Sequence, residues 1–368
     1  MSLRPRHVLM TADAVGGVWT YALDLAEALL ARGVRVSLAV LGPAPGGVQR
    51  RAAQRINGLR LIEAGGTLDW LAEGPSQLDR TARALRGLAV QTGADLVHLN
   101  APALRGDDDW GAPVVGGCHS CVATWWDAVR GTDLPQDFQW RTERLAQGYR
   151  RCDRLVAPSF AFMQATAARY GVLPATVRNG RRPAEAGPET RRRGVLTSGR
   201  LWDEGKNIAT LERAARRMRG RVEAAGAVEG PNGQAVALDR VHALGRLSAS
   251  DLQQQLRQAS VFCAPALYEP FGLGVLEAAQ AGCALVLADI PTFRELWEGA
   301  ALFVPPRDDG ALAAVLDDLL DDADRARRLG RLASARARQF SIDAMVEGTL
   351  AVYAEALAQR APFGEAAA

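Results

Sequence analysis

The sequence predicts an α/β protein made of two domains, each a parallel β-sheet with helices between its strands. Its 368 residues are enough for two hydrophobic cores. Short apolar segments alternate with longer amphipathic segments along most of the chain, which is typical of βαβ units. This alternation stops once, over residues 179–193, and then resumes. We therefore expect one domain on each side of that break.

The first domain, residues 1–178, is predicted to contain strands at 7–12, 34–42, 59–65, 95–100, 113–119 and 154–158. The clearest helix covers residues 18–32, where apolar side chains recur at helical spacing until Gly33 ends the helix. Residues 179–193 contain prolines, glycines and arginines but no apolar segment. That composition indicates an interdomain linker.

The second domain, residues 194–340, is predicted to contain strands at 194–200, 221–228, 241–247, 260–265, 284–289 and 301–306. Three helices then follow without an intervening strand, at 309–320, 322–337 and 341–359. We expect the last helix and tail, residues 341–368, to cross back to the first domain. Two such domains leave a cleft between them, which is the usual place for a ligand.

Composition excludes some classes of partner and location. The chain has 44 Lys and Arg residues against 41 Asp and Glu, a net charge of only +3, so we expect no nucleic-acid partner. The sequence shows neither a signal-peptide core nor an apolar stretch near the ~20 residues of a membrane-spanning helix. Five cysteines, an odd number, favour reduced thiols in the cytoplasm. Peripheral contact with the inner face of a membrane is left open.

The most informative segment is YEPFGLGVLEAAQAG, residues 268–282. It follows a predicted strand and opens a helix near Leu273, so Glu269 lies in the loop and Glu277 about one turn inside the helix. Ligands of parallel sheets bind at this edge, and the amides of FGLG at a helix N-terminus suit a phosphate. Carboxylates accept hydrogen bonds from hydroxyls on both sides of a diphosphate. The segment therefore favours a nucleotide sugar as ligand.

With GRLWDEGKN (199–207), RNG (178–180) and VGGVWTYALDLAEALLARG (15–33), the chain resembles the retaining GT-B glycosyltransferases of family 4, which carry an E-x7-E motif. The resemblance covers nearly the whole chain and implies two Rossmann-like domains facing each other across a cleft. One departure is Cys283 and Ala284, where that family often has Thr-Pro. These two residues touch none of the expected contacts.

The resemblance also implies roles. Glu277 is expected to bind the donor ribose, and Glu269 the hydroxyls of the transferred sugar. Arg200 and Lys206 are expected to hold the diphosphate. The implied donor site consists of Gly16, Gly17, Arg200, Lys206, Glu269, Phe271, Gly272, Leu273, Gly274 and Glu277.

Lys206 is the only lysine of the chain, since the other 43 of its 44 basic residues are arginine. A leaving diphosphate gains negative charge as the glycosidic bond breaks, so fixed positive charge there favours the transition state. Arg200 presents a planar fork, while Lys206 presents a compact ammonium. With this charge in place we expect neither a metal nor a cofactor. UDP or GDP is the expected nucleotide.

The segment GGCHSC, residues 116–121, has two interpretations. Its C-x-x-C spacing could mark a redox pair or half a zinc site, but Cys152, Cys263 and Cys283 supply no second pair. The resemblance instead implies that His119 contacts the transferred sugar and takes part in catalysis with Glu269, Arg200 and Lys206. GDDDW, residues 106–110, is interpreted as a solvated loop.

Two other features keep two interpretations each, and a third has one. Gly16 and Gly17 either approach the donor phosphate or form a tight turn. Trp125 and Trp126 either line the acceptor site or pack in the core. His98 is expected to be a buried structural residue.

These observations predict a retaining, metal-independent transferase. It would move a sugar from a nucleotide-diphosphate sugar to a polysaccharide, a lipid-linked or a small-molecule acceptor. The alternatives are a nucleotide-sugar epimerase or hydrolase on the same fold, and a non-catalytic module that binds sugar nucleotides.

Overall fold

The structure, a computed structural model, describes residues 3–183, 193–231 and 233–360. The chain forms two compact units. The first contains residues up to 127, 132–180 and the C-terminal segment from 342. The second contains residues 128–131 and 181–341. Most of the predicted linker, residues 184–192, lies outside the described residues, as does the tail from 361.

The first unit is built on a seven-stranded sheet in the order β3-β2-β1-β4-β5-β6-β7. All its neighbouring strands run parallel. The strands are β1 (His7–Asp13), β2 (Arg35–Leu41), β3 (Arg60–Gly65), β4 (Leu96–Leu99), β5 (Val114–Gly117), β6 (Arg154–Ala157) and β7 (Ala175–Thr176). The strand order reverses direction between β1 and β4, so the loops after these two strands diverge and leave room for a ligand.

Helices connect these strands in sequence: α1 (Gly17–Leu30), α2 (Gly47–Gln54), α3 (Pro75–Thr92), α4 (Val122–Val129), α5 (Gln136–Arg151) and α6 (Phe160–Tyr170). Helix α1 shows why the sequence pattern works. Tyr21, Leu25 and Leu29 lie one turn apart and are buried against the sheet. Gly33 follows in the left-handed conformation, with a φ of 80°, and the chain then enters β2.

The second unit is built on a six-stranded parallel sheet in the order β10-β9-β8-β11-β12-β13. Its strands are β8 (Val195–Ser198), β9 (Val222–Ala225), β10 (Val241–Gly245), β11 (Val261–Ala264), β12 (Ala284–Ala288) and β13 (Leu302–Val304). Its helices are α7 (Ile208–Ala215), α8 (Ala249–Gln258), α9 (Leu273–Gln280), α10 (Pro291–Trp297), α11 (Asp309–Asp321) and α12 (Ala323–Ala337). Here the order reverses between β8 and β11.

The last helix, α13 (Ile342–Arg360), belongs to the first unit. Met345, Val346 and Tyr353 are at most 1% exposed and join the core that α1 forms with β1 and β2. Arg32 of the α1–β2 turn forms ion pairs with Asp343 and Glu347 on α13, each at 2.8 Å. The prediction that the final helix crosses back to the first domain is therefore confirmed.

The predicted α/β class and every predicted strand are confirmed, with ends displaced by at most three residues. Strand β7 was not predicted, because two residues are too few to show a pattern of alternation. Among the described helices, none is long and apolar enough to cross a membrane.

Two helical glycines of the first unit give a direct test of its packing. A Cβ at Gly148 in α5 would lie 2.0 Å from the carbonyl oxygen of Pro102, whereas a Cβ at Gly87 in α3 would meet nothing within 4 Å. Gly148→Ala is expected to lower the unfolding free energy by about 1–3 kcal/mol through overpacking. Gly87→Ala is expected to raise it by up to about 1 kcal/mol through helix propensity. Urea denaturation of the two variants measures both, and a neutral Gly148→Ala would contradict the placement of α5.

Candidate active site

The predicted donor residues other than Gly16 and Gly17 lie at the carboxyl edge of the second sheet. Arg200 follows β8 and Glu269 follows β11. These strands are neighbours and flank the point where the strand order reverses. In open parallel sheets this position is the usual ligand site.

Lys206 and Glu269 form an ion pair across this edge. The Lys206 Nζ donates a hydrogen bond to Glu269 Oε2 at 2.5 Å. The two side chains are only 21% and 17% exposed. Charge-assisted hydrogen bonds in partly desolvated places are among the strong ones. The pair therefore holds the lysine ammonium at a defined place between the loops after β8 and β11.

Asn207 anchors the loop that carries Lys206. With a φ of 56° it is the one non-glycine residue at positive φ among the described residues. Its side-chain amide donates to the carbonyl oxygens of Pro265 at 2.8 Å and Pro306 at 2.6 Å. Its side-chain oxygen accepts from Thr210 at 2.8 Å. The sequence analysis did not single out this residue, although it lies inside the quoted GRLWDEGKN segment.

Helix α9 begins where the sequence predicted. Gly272, its N-cap residue, has a φ of 94°, which a residue with a Cβ rarely adopts. A Cβ at Gly274 would come within 3.1 Å of the Ser198 hydroxyl at the end of β8, so glycine lets the helix start close to that strand. The first amides of a helix have no partner within it. Those of Leu273 and Gly274 are therefore oriented toward this edge.

Phe271 is placed differently from the other predicted donor residues. Its side chain is 3% exposed and packs edge-on against Phe340, with ring centroids 5.7 Å apart. In this position the ring fixes the turn before α9.

Glu277 is paired with a cation that the sequence analysis placed in the linker. Arg181 Nη2 lies 2.7 Å from Glu277 Oε1, and the two side chains are 20% and 13% exposed. The backbone of Arg181 is also fixed. Its carbonyl accepts from the Gln280 side chain at 2.9 Å, and its amide donates to the Phe340 carbonyl at 3.3 Å. Arg181 is therefore part of the structure around α9.

Arg200 is more exposed than Lys206, with 46% of its side chain accessible. Its guanidinium lies 3.0 Å from Asp203 and 5.7 Å from the centre of the Trp202 ring. Such a partly solvated cation can reorient toward an arriving anion at little cost.

The predicted residues of the first unit also lie at a carboxyl edge. Gly16 is the N-cap of α1 and Gly17 its first residue, just after β1. His119 follows β5, and its Nε2 lies 2.7 Å from the Asn100 side-chain oxygen. Its ring meets Tyr21 edge-on at 4.7 Å. Surrounding protein lowers the pKa of His119 to about 4, so the imidazole is neutral at neutral pH.

The other marked residues have structural partners. His98 is fully buried, as expected, and its Nδ1 lies 2.6 Å from the Tyr353 hydroxyl. Burial lowers the pKa of His98 to about 3. Trp125 and Trp126 are half-buried on α4, with ring centroids 6.1 Å apart.

The C-x-x-C segment and the acidic loop are the last two features that the sequence singled out. Cys118 is buried, and burial raises the pKa of both the Cys118 and Cys121 thiols, which disfavours a reactive thiolate. Each aspartate of GDDDW forms an ion pair with an arginine, the partners being Arg151 for Asp107, Arg86 for Asp108 and Arg360 for Asp109. Within the described ranges no three His, Cys, Asp or Glu side chains form a cluster that could hold a metal ion.

Two family models match the chain, one after the other along the sequence. Residues 15–184 match the family model described as Glycosyltransferase Family 4. Residues 192–322 match the model described as Glycosyl transferases group 1.

Curated relatives match over different lengths. The D-inositol 3-phosphate glycosyltransferase of Kineococcus radiotolerans is 29% identical over 95% of this chain and 93% of that protein. The MMP alpha-(1->4)-mannosyltransferase of Mycolicibacterium hassiacum is 38% identical over 125 residues, which are 33% of this chain and 30% of that protein.

Solved structures share the fold. The sucrose-phosphate synthase from Thermosynechococcus elongatus superposes with a TM-score of 0.76 at 18% identity, covering 96% of this chain and 100% of that chain. Anabaena HepE, solved in complex with UDP-glucose, gives a TM-score of 0.74 at 17% identity, over 94% of this chain and 98% of that chain. The protein has the GT-B fold. With both family models matched in sequence order, it is a glycosyltransferase.

Two substitutions of Asn207 test how the loops at the carboxyl edge of the second sheet are held together. Asn207→Gly permits the positive φ but loses the buried hydrogen bonds, so it is expected to cost about 1–3 kcal/mol of unfolding free energy. Asn207→Ala loses the same bonds and adds left-handed strain of roughly 1–2 kcal/mol. Chemical denaturation of both variants separates the two contributions. An Asn207→Gly variant as stable as the parent would show that the amide does not join these loops.

Proposed function

We propose that the protein transfers a sugar from a nucleoside diphosphate sugar to a hydroxyl acceptor, with retention of anomeric configuration and without a metal ion. The observation that carries this proposal is the Lys206–Glu269 pair beside the N-terminus of α9, at the point where the second sheet reverses its strand order. It places a cation, a carboxylate and helix amides at one edge. A diphosphate bonded to a sugar needs those three groups.

The donor would lie along this edge. Its diphosphate would contact Lys206, Arg200 and the amides of Gly272, Leu273 and Gly274. The sugar hydroxyls would donate to Glu269, and the ribose hydroxyls to Glu277. The complex of HepE with UDP-glucose supports a nucleotide sugar as the class of donor and makes UDP the first nucleotide to test.

The chemical step would depend on charge that develops on the leaving group. As the bond between the anomeric carbon and the diphosphate oxygen breaks, negative charge grows on that oxygen. Lys206 would then gain a stronger interaction with the diphosphate than it has in the ground state. The acceptor hydroxyl would attack from the same face and lose its proton to the leaving phosphate. This route forms the new bond on the side from which the diphosphate leaves.

The first unit would bind the acceptor. His119 is proposed to contact a hydroxyl of the transferred sugar, Gly16 and Gly17 to permit close approach of the donor phosphate to the backbone, and Trp125 and Trp126 to offer ring faces to the acceptor. The named activity of the Kineococcus relative supports a polar, hydroxyl-rich acceptor. A lipid-linked acceptor at a membrane surface is the other case to test.

A thermal-shift panel of UDP, GDP and ADP tests the donor site. One nucleotide is expected to raise the melting temperature of the parent protein by mass action. Lys206→Ala removes a charged hydrogen bond worth about 1.5–3 kcal/mol, so its affinity for that nucleotide should fall roughly 10- to 100-fold. The nucleotide affinity of Lys206→Arg should lie between those of the parent and of Lys206→Ala, because arginine keeps the charge in a wider group.

Arg219→Ala is the matched control. It removes a cation whose side chain is 77% exposed and which precedes β9, at the amino edge of the same sheet. Its nucleotide shift should equal that of the parent. A parent protein that no nucleotide stabilises at millimolar concentration would overturn the proposed donor site.

Product analysis separates transferase from the alternatives. With the matching nucleotide sugar and a panel of hydroxyl acceptors, a new glycoside with the donor's anomeric configuration, formed equally with EDTA present, supports the proposal. An isomerised donor would indicate an epimerase, and free sugar alone would indicate a hydrolase. Binding without turnover would indicate a non-catalytic module.

A further inference from the structure

Asn100 occupies the point where the strand order of the first sheet reverses. It follows β4 directly, and β4 lies between β1 and β5. Two hydrogen bonds tie it to the fully buried Thr11 of β1. The Asn100 backbone amide donates to the Thr11 hydroxyl at 2.9 Å, and the Asn100 Nδ2 donates to the Thr11 carbonyl oxygen at 2.6 Å.

This anchoring fixes which way the Asn100 amide points. A backbone carbonyl can only accept, so the atom facing Thr11 must be the nitrogen. The side-chain oxygen then faces the Nε2 of His119, at 2.7 Å. An amide oxygen can also only accept, so the His119 Nε2 must carry a hydrogen.

The remaining ring nitrogen follows from the charge of the imidazole. Because burial keeps the pKa of His119 near 4, the neutral ring carries one hydrogen at neutral pH. That hydrogen is on Nε2. The Nδ1 atom therefore has a lone pair and acts as a hydrogen-bond acceptor.

Gly117 leaves the space for this contact. A Cβ at Gly117 would lie 2.7 Å from His119 Nε2 and 2.9 Å from the Asn100 side-chain oxygen. Any larger residue at the end of β5 would push the two groups apart. The short contact between Asn100 and His119 therefore depends on the absence of a side chain at Gly117.

We propose that Asn100 is a positioning residue that holds His119 in the Nε2–H tautomer, so that the His119 Nδ1 accepts a hydrogen bond from a hydroxyl of the sugar substrate. The tautomer rests on the contacts above, and the identity of the hydroxyl rests on the proposed function. A specificity rule follows. A substrate with a hydroxyl at that position is accepted, and an analogue with an acceptor-only group there, such as fluorine or a methyl ether, is rejected.

The tautomer can be measured directly in the unmodified protein. The chain has four histidines, His7, His98, His119 and His242, so long-range proton–nitrogen spectra of protein labelled with nitrogen-15 histidine are tractable. A His119→Gln variant assigns the signal. We expect a protonated Nε2 and an unprotonated Nδ1 for His119 at neutral pH. A protonated Nδ1, a doubly protonated ring or an average of the two tautomers would overturn the proposal.

Two substitutions of Asn100 test whether it sets the tautomer. Asn100→Leu removes the acceptor and should give tautomer averaging at His119. Asn100→Asp keeps an acceptor toward Nε2, so Nε2 should stay protonated. Its second oxygen opposes the Thr11 carbonyl and its charge raises the pKa of His119, so the doubly protonated ring should gain population in this variant alone. A Leu variant that retains the parent spectrum would show that Asn100 does not position the ring. The parent spectrum alone still tests the tautomer if a variant fails to fold.

Activity adds a second readout, once a substrate pair is known. Misplacing a substrate-contacting group costs roughly 10- to 100-fold in kcat/KM, which we expect for Asn100→Leu. The nucleotide shift of both variants should match the parent, because the donor nucleotide contacts the second unit. If no nucleotide raises the melting temperature of the parent, the proposed function is wrong, but the assignment of the His119 tautomer is unaffected. A wrong tautomer would defeat this inference alone.

Discussion

The carboxyl edge of the second sheet, where we propose that the donor binds, depends on the side-chain amide of Asn207. This one group joins three loops, because it is itself in the loop after β8 and binds carbonyl oxygens after β11 and β13. The neighbouring Gly205 carbonyl adds a bond from the Leu267 amide at 2.9 Å. Lys206 lies between these two anchored residues, so its backbone has little freedom. Placing a charge in this way before the substrate arrives avoids reorganisation during the reaction.

Both carboxylates of the donor site are already paired with cations. Glu269 holds Lys206 and Glu277 holds Arg181. An arriving diphosphate is therefore not repelled by two bare negative charges. Because Lys206 has several donors, it can keep Glu269 while a second hydrogen reaches a phosphate oxygen. In the proposed site the other oxygen of Glu269 would accept from a sugar hydroxyl.

Local sequence was enough to predict the strands, the start of α9 and the loop position of Glu269, because apolar periodicity and glycine placement act over a few residues. It could not predict the partners. Asn207 meets Pro265 and Pro306 at separations of 58 and 99 residues, and Asn100 meets Thr11 at 89. Such contacts depend on strand order. Arg181 was read as linker because its neighbours are polar, and only the position of α9 shows that it faces Glu277.

The single lysine can be understood from the space around it. Gly199 has a φ of 145°, and a Cβ built there would lie 3.7 Å from the Lys206 Cε. The aliphatic stem of the lysine therefore passes close to the backbone at the end of β8, where a glycine leaves room for it. A guanidinium is planar and wider than an ammonium, and it directs its donors in a fixed fork. At Glu277 of helix α9 the cation contacts a carboxylate, and there the partner is the guanidinium of Arg181. Beside Glu269 the cation of the proposed site would contact a carboxylate and a diphosphate from one narrow point, and an ammonium suits that geometry better than a guanidinium.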